Sequence, residues 1–493
     1  MVYYLNEDFL KDVPYVINKF CNQKFDDNHI LLTTDHGSWV LLSKEEYELL
    51  LKKRVEEDSH LFEVLEDKGI IITEKNQNSL VEGYGEKFNY LFNGISLHII
   101  APTLRCNQNC VYCQANSKDL KCKNYDMDEN TSKDVIDFIF QTPSKFINVE
   151  FQGGEPLVIF PILQYIIEYV KQKNNSTNCN EKGWFSGCKN VSFTIVTNLT
   201  LMDNDILNYF LKNRVRISTS LDGPKEIHNK NRPFRSGKGS YDDVVYWIDV
   251  VKEKYPNLSA LPTITKFSLN HVKEISDEYI KYNFSHTRMR ELNIAGMTIK
   301  SLDEIGYKPE DFLKFWKEYL KYVIALNKKG IKFWDETTSF IITRILCKKS
   351  RLNACLNSPC GVGTIQSAYN HKGDVYTCDE ARSDETFKIG NVKENNYKEV
   401  FTSESIANFI RLSSCTSFLC DDCVWHAYCS PCLISAYGEN RSLVPKFPNF
   451  TCKIRGGQIE EIFKNIIFSK DRDILLGLSK LSRLDKLLKE KSN

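Results

Sequence analysis

A chain of 493 residues, 42% hydrophobic and 26% charged, has the make-up of a folded globular protein and is long enough for more than one domain. Its net charge of +1 leaves no global field for nucleic acid, and no apolar run approaches the roughly 18 residues of a membrane span. Residues 1–8 lack the basic and apolar regions of a signal peptide, so a cytoplasmic location is expected. Thiols stay reduced there, and seventeen cysteines clustering in 106–122 and 347–452 point to metal rather than disulfides.

Residues 1–80 read as a unit of their own. The stretch 29–42 is a hairpin turning at Asp35–Ser38. Ser43-Lys-Glu-Glu46 is a capping box that opens a helix to about Arg54. A second helix is expected over about 59–68, stopped by Gly69, and then a strand over 70–73. Two helices with a β ribbon make a winged-helix-like module. Nine Lys and Arg against sixteen Asp and Glu argue against duplex DNA as its ligand. What remains is a packing domain, or a strand edge that receives an extended peptide.

From about 92 to 330, strands and helices alternate. Strands are expected at 95–101, 146–152, 191–197, 214–220, 259–265 and 288–294. Helices are expected at about 131–141, 161–173, 203–213, 240–255, 271–283 and 309–329. Six β/α units imply a parallel sheet, read as a partial (β/α)6 TIM-like barrel with ligands beyond the C-terminal strand ends. After the first strand comes Cys106-Asn-Gln-Asn-Cys110-Val-Tyr-Cys113. Thiolates are the usual ligands of iron–sulfur clusters, and three of them leave one iron of a four-iron cluster open for chemistry. Half of a zinc site, or plain buried thiols, are the competing readings. After the second strand, Gly153 and Gly154 let backbone approach a ligand closely, and Glu155 can accept hydrogen bonds from an ammonium group. Polar residues end the next two strands at Thr197-Asn198 and Ser220-Leu-Asp222. The insert 174–190 reads as a surface loop with two spare thiols, Cys179 and Cys188; Cys21, Cys122 and Cys347 are also unassigned.

Residues 345–455 form a cysteine-rich region: Cys360, Gly373, Cys378, Cys420-Asp-Asp-Cys423, Cys429, Cys432 and Cys452. Structural zinc also uses Cys-x2-Cys pairs. Residues 453–493 carry ten Lys and Arg against six Asp and Glu, and in the final segment, 456–493, the apolar spacing over 474–488 reads as an amphipathic helix packed on the barrel.

The three-cysteine loop, with Tyr112 before its third cysteine, resembles the radical S-adenosylmethionine (SAM) superfamily. The cysteine-rich region resembles the auxiliary-cluster SPASM domain, apart from 429 to 432, where two residues intervene instead of three. From the acidic N-terminal unit through Ala368–Arg382 to the last cysteines, about 25–455 is similar to the His-Xaa-Ser system radical SAM maturases. The resemblance implies a [4Fe-4S] cluster on Cys106, Cys110 and Cys113. Its open iron holds SAM, which one electron cleaves to a 5′-deoxyadenosyl radical. It implies SAM contacts at Tyr112, Gly153, Gly154, Glu155, Thr197, Asn198, Ser220 and Asp222. It assigns Cys420, Cys423, Cys429 and Cys452 to one auxiliary [4Fe-4S] cluster. Cys360, Cys378 and Cys432 go to another, whose fourth ligand is Cys355 or Cys415, or is absent. Asp379 matches an acid of protein-oxidising relatives and is the candidate proton acceptor. The implied partners are a ribosomal precursor peptide with His-Xaa-Ser repeats, a second radical SAM maturase and a flavodoxin- or ferredoxin-type electron donor. Two alternatives stand beside this reading: an anaerobic sulfatase-type maturase oxidising Ser or Cys, and a non-catalytic iron–sulfur protein that presents a peptide.

Overall fold

The computed structural model describes residues 15–176, 188–346, 355, 357–414, 420–444, 446 and 448–478. An eight-stranded sheet runs through its centre. Five strands, Leu97–Ile100, Phe146–Phe151, Asn190–Val196, Arg216–Ser220 and Ser259–Leu261, lie side by side in chain order, all parallel. Alternation sets their faces. In the second strand Ile147, Val149 and Phe151 are fully buried and share a core with Val135, Ile139, Leu163 and Ile166 of the crossover helices. Those helices, Glu129–Ile139 and Phe160–Ser176, are followed by Asn204–Lys212 and Tyr241–Lys254. Asp128 and Asp203 cap the first and third by accepting from the Thr131 and Ile206 amides.

The sixth strand differs from expectation. His286–Thr287 pairs with Trp334–Asp335 in a separate two-stranded sheet, and a lone parallel bridge, Thr263 to Arg290, joins that region to the main one. The expected strand over 288–294 contains Arg288, Arg290 and Glu291. All three line an internal cavity, so the chain there serves charged side chains instead of a ladder.

The other edge of the barrel sheet continues into the cysteine-rich region. Gln366–Tyr369 pairs parallel to Leu97–Ile100, and Asp374–Tyr376 and Lys388–Asn391 extend the sheet antiparallel. Gly373 makes the turn between the first two at φ +84°, a conformation that favours glycine. His98 fastens the seam: Nδ1 lies 2.9 Å from the Tyr369 hydroxyl and Nε2 lies 3.2 Å from the Ile95 carbonyl. Burial pushes its pKa down to about 3 from the ordinary 6.5. A depressed value means that neutral His98 stabilises the fold fully above about pH 6.5, and that this is lost as pH falls towards 3. His98→Gln is expected to flatten the fall of stability across that window in urea titrations at stepped pH. An unchanged slope would remove His98 as its cause.

The N-terminal unit is larger than expected. Cys21–Lys24, His29–Thr33 and Trp39–Ser43 form an antiparallel meander, and Val16–Ile17 pairs with Ile71–Ile72. Ser43 does form a capping box with Glu46, but the helix it opens, Lys44–Leu51, is shorter than expected. The second helix, His60–Asp67, is capped by Ser59. A third, Gln77–Phe88, spans the boundary expected at residue 80. Its Gly83 and Gly85 weaken the helical pattern in the sequence. The meander packs on the cysteine-rich region: Trp39 meets Phe463 edge-on, and Thr33 Oγ1 donates to the Val424 carbonyl at 2.7 Å.

The boundary expected at 456 also falls inside a helix, Phe450–Phe468, whose Ile459, Ile462, Phe463 and Ile466 are buried. A short helix, Arg472–Gly477, follows. Most of the expected amphipathic stretch 474–488 lies outside the described residues, as do Cys179, Cys347 and Cys415. Cys188, expected as a spare thiol, is disulfide-bonded. Among the described residues, no helix is long and apolar enough to cross a membrane.

Candidate active site

The loop Cys106–Cys113 leaves the first strand and is held from two sides. Asn109 N and Val111 N donate to the carbonyls of Pro233 and Asn231 at 2.8 and 3.0 Å, and Arg235 Nε donates to the Cys106 carbonyl at 2.7 Å. On the other side Met297 N donates to the Cys113 carbonyl at 3.0 Å, and Ser301 Oγ to that of Val111 at 2.7 Å. This fixed loop turns all three thiols into one cavity of about 540 Å³, together with Tyr112, Glu155, Thr197, Asn198 and Ser220. The cavity opens at the C-terminal strand ends, where a parallel sheet presents its ligand sites.

The second loop docks on the first. Gly154 N donates to the Thr103 carbonyl at 2.9 Å, and Glu155 N to that of Arg105 at 2.7 Å. A Cβ at Gly153 would stand 2.3 Å from the Thr103 carbonyl oxygen, and one at Gly154 2.2 Å from that of Arg105. So the two glycines are needed where backbone meets backbone; the expected approach to a ligand is not what fills their Cβ positions. Glu155 is 1% exposed, and its carboxylate gathers the strand ends: Leu157 N and Thr197 Oγ1 donate to Oε1, Asn198 N to Oε2. Burial pushes its pKa up to about 7 against those three donors. A carboxylate accepts about four hydrogen bonds, which leaves room for one ammonium donor.

Asp222 departs from its expected place. It is fully buried behind Tyr112 and does not line the cavity. Its oxygens accept from the Tyr112 hydroxyl, from Arg232 Nε at 3.1 Å and from Thr263 N at 3.2 Å. Asp222 therefore positions Tyr112 and Arg232. Arg232 is the residue beside the cysteine loop that the sequence pattern did not single out. Its guanidinium lies over the Tyr112 ring at 5.2 Å and 3.9 Å from the Cys110 sulfur. Nothing in the sequence around it, His228-Asn-Lys-Asn-Arg232, sets this arginine apart.

Do these residues fit a four-iron cluster and SAM? Burial pushes the Cys106 thiol up and the Cys110 thiol to about 12, with Arg232 opposing the rise at Cys110. Such thiols keep their protons unless a bound cation displaces them, which is what a metal cluster does. The donor set, the Arg232 charge and the cavity volume all fit. Among the described residues no three His, Cys, Asp or Glu side chains close on a single metal ion.

A second, smaller cavity of about 70 Å³ lies against the first and is lined by Cys355, Cys360, Cys378 and Cys432. Burial pushes all four thiols up, Cys355 to about 11. Cys355, one of the two candidates for a fourth ligand, is in this set; the other, Cys415, lies outside the described residues. Cys355, Arg288, Arg290, Glu291, Gln366 and Glu380 line both cavities. Cys429 lines a different, very small cavity despite its short spacing to Cys432. Cys420 and Cys423 flank a turn, with Cys423 N donating to the Cys420 carbonyl at 3.0 Å, and Cys452 sits in the first turn of Phe450–Phe468 under the Asn449 cap. The buried Arg455 guanidinium feels Cys432, Cys429 and Cys355 together, so it stands between the two sets. Asp379 lines the large cavity; its oxygens accept from Gln114 Nε2 at 3.0 Å and from Arg382.

Comparisons with known proteins agree with this architecture. The sequence profile of the Radical SAM superfamily matches residues 100–279, and that of the SPASM iron–sulfur cluster-binding domain matches 360–433. A cysteine-type anaerobic sulfatase-maturating enzyme of Clostridium novyi is 27% identical over 366 residues, covering 72% of this chain and 91% of its own. Among solved structures, native anSMEcpe with bound AdoMet superposes with a TM-score of 0.64 at 21% identity, covering 78% of this chain and all of that one. SuiB of Streptococcus suis bound to its precursor peptide SuiA gives 0.52 at 12%, covering 88% and 99%. The chain carries a radical SAM domain and a SPASM domain: it is a radical SAM enzyme, and its cofactors are [4Fe-4S] clusters and S-adenosylmethionine.

Proposed function

We propose that this enzyme is a maturase that modifies a ribosomally made peptide or protein. One observation carries the reading. Cys106, Cys110 and Cys113 share a cavity with Asp379, and that cavity adjoins the four-thiol cavity of the SPASM region. A substrate residue held there faces SAM on one side and a proton acceptor with an electron acceptor on the other. When bound, the first cluster and SAM supply a 5′-deoxyadenosyl radical. The chain's own residues do the rest. Cys106, Cys110 and Cys113 hold the cluster, and Arg232 offsets its negative charge. Glu155 takes the ammonium of SAM, while Thr197, Asn198 and Ser220 line its bed. Asp379 receives the substrate proton once Arg382 has oriented it. Cys355, Cys360, Cys378 and Cys432 hold one auxiliary cluster, and Cys420, Cys423, Cys429 and Cys452 hold the second.

Two substrate classes fit this cavity. The sulfatase-maturating likeness favours oxidation of a Ser or Cys, and Asp379 in the cavity supports it. The N-terminal meander supports a precursor peptide with a leader, captured by strand addition at an edge such as Trp39–Ser43, and with it the His-Xaa-Ser reading. A flavodoxin- or ferredoxin-type donor, a second radical SAM maturase and a cytoplasmic setting complete the proposal. The test is isotopic. Reconstituted enzyme with SAM and reductant is expected to move deuterium from a labelled peptide into 5′-deoxyadenosine. The peptides are a Cys or Ser sulfatase-type sequence and any short His-Xaa-Ser-rich sequence encoded beside the enzyme. 5′-Deoxyadenosine formed without deuterium from either class would overturn the maturase reading.

A further inference from the structure

The large cavity holds one carboxylate that nothing above uses. Glu150 sits on Phe146–Phe151, paired with Ile99 on one side and Thr194 on the other, and it lines the cavity with Leu97, Ile99 and Thr194. It lies three residues before Gly153, so it is set below the SAM loop and deeper in the barrel. Most other charged groups of the wall have hydrogen-bonded or ion-paired partners, and Arg288 acts on Glu291 and Asp335 through charge alone. Arg232 pairs with Asp222, Arg382 with Asp379, and Arg290 with Glu380 at 3.5 Å. Glu291 is held by the charges of Arg288, Arg455 and Arg290, and Glu155 by three donors. Arg216, whose charge reaches Glu150, is itself bound to Asn148 Oδ1 at 3.0 Å. Glu150 accepts a single hydrogen bond, from Gln152 Nε2 at 2.5 Å. A carboxylate has about four acceptor sites, so most of its capacity faces the cavity. Glu150 is half-buried, desolvation and the Asp379 charge both raise its pKa, and a cation is the complement of both.

We propose that Glu150 is a specificity-determining residue that binds a cationic N–H donor of the substrate, such as an ammonium, guanidinium or imidazolium group, next to the residue under attack. This rests on the maturase reading and deepens it. A substrate with such a group fills the unmet acceptor sites and neutralises the pair of acids. A neutral isostere makes no such ion pair with the carboxylate. Specificity then lies in the neighbour of the modified residue as well as in that residue.

The experiment uses reconstituted holoenzyme with SAM. The probes are peptides bearing one target Cys or Ser and differing at a neighbouring position: Lys, Arg, His, or the neutral norleucine and citrulline. The intact enzyme is expected to prefer the cationic neighbours roughly tenfold to a hundredfold in kcat/KM, mainly through KM. Glu150→Gln keeps the shape and removes the charge. It is expected to abolish that preference while leaving uncoupled SAM cleavage unchanged, which shows an intact SAM site. Equal loss on cationic and neutral peptides, or a preference that survives in Glu150→Gln, would overturn the assignment. If no peptide is turned over, the maturase reading has failed separately, and n-butylammonium remains as a probe of the cavity. Saturable inhibition of uncoupled SAM cleavage that is lost in Glu150→Gln supports the cation site. Inhibition equal in both proteins, or absent from both, sinks it.

Discussion

Replacing Cys106, Cys110 or Cys113 by alanine is expected to abolish 5′-deoxyadenosine formation, with a loss beyond a thousandfold in each case. The reason is redundancy, or its lack. All three thiols face one cavity; Cys122 is not among its lining residues, and Cys355, which is, also lines the four-thiol cavity of the SPASM region. A cluster with two thiolates loses its fixed orientation, and SAM then loses the iron that chelates it. About four irons should leave with the cluster, while the SPASM irons remain. Retained SAM cleavage in any of the three variants would show that the cluster is held elsewhere. Arg232→Met gives a graded companion. Removing the guanidinium leaves Asp222 buried without its 3.1 Å partner, and the ring of Tyr112 without its cation. Breaking such a buried pair costs about 3–5 kcal/mol, so Arg232→Lys is the variant that separates charge from folding.

How much of this was legible before the fold was known differs from element to element. The five barrel strands and their helices read well, because Ile147, Val149 and Phe151 alternate and the helices carry clean apolar faces. The three cysteines and Glu155 fall at the expected strand ends because each motif sits on one loop, whereas Gly153 and Gly154, expected to admit a ligand, are needed where one loop meets the other. The roles of Asp222 and Arg232 did not, because a carboxylate after a strand looks the same whether it faces a ligand or stands behind a tyrosine. Only the packing of Asn231–Arg235 against the cysteine loop decides between them. The unit boundaries at 80 and 456 failed for a similar reason. Gln77–Phe88 and Phe450–Phe468 contain paired glycines that break the sequence pattern, yet tertiary packing keeps both helical; Gly457 lies within contact of the Leu313 side chain. The strand expected over 288–294 did not form a ladder with the sheet, and its Arg288, Arg290 and Glu291 line the cavity wall.

Deleting the N-terminal unit through Phe88 is expected to cost auxiliary iron as well as peptide affinity. Separation of capture from chemistry follows if the unit is merely appended, because the residues around SAM begin at Cys106. The structure shows a closer union. The meander grips the loop that carries Cys420, Cys423 and Cys429. Lys19 pairs with Asp421 at 2.6 Å, Cys21 Sγ lies 3.0 Å from the Asp421 carbonyl, and Tyr428 donates to the Gly37 carbonyl at 3.1 Å. Asp35 meets His426 Nε2 at 2.6 Å, and the other nitrogen of that ring bonds the Cys423 carbonyl at 2.7 Å. Each lost buried bond costs about 1–3 kcal/mol, and bare Trp425 and Phe463 add exposed apolar surface. The truncated chain should therefore fall from about twelve irons to about eight, losing the cluster of that loop and keeping the one on Cys106, Cys110 and Cys113. Slow uncoupled SAM cleavage should survive. Asp35→Ala tests the same link without truncation. It strands His426 beside a cluster ligand, and is expected to lower iron retention on gel filtration and the melting temperature together. Lys24→Ala, which breaks an exposed pair with Asp27, is the control and should change neither. A truncated protein with its full complement of iron would show that the meander does not brace the cluster loop.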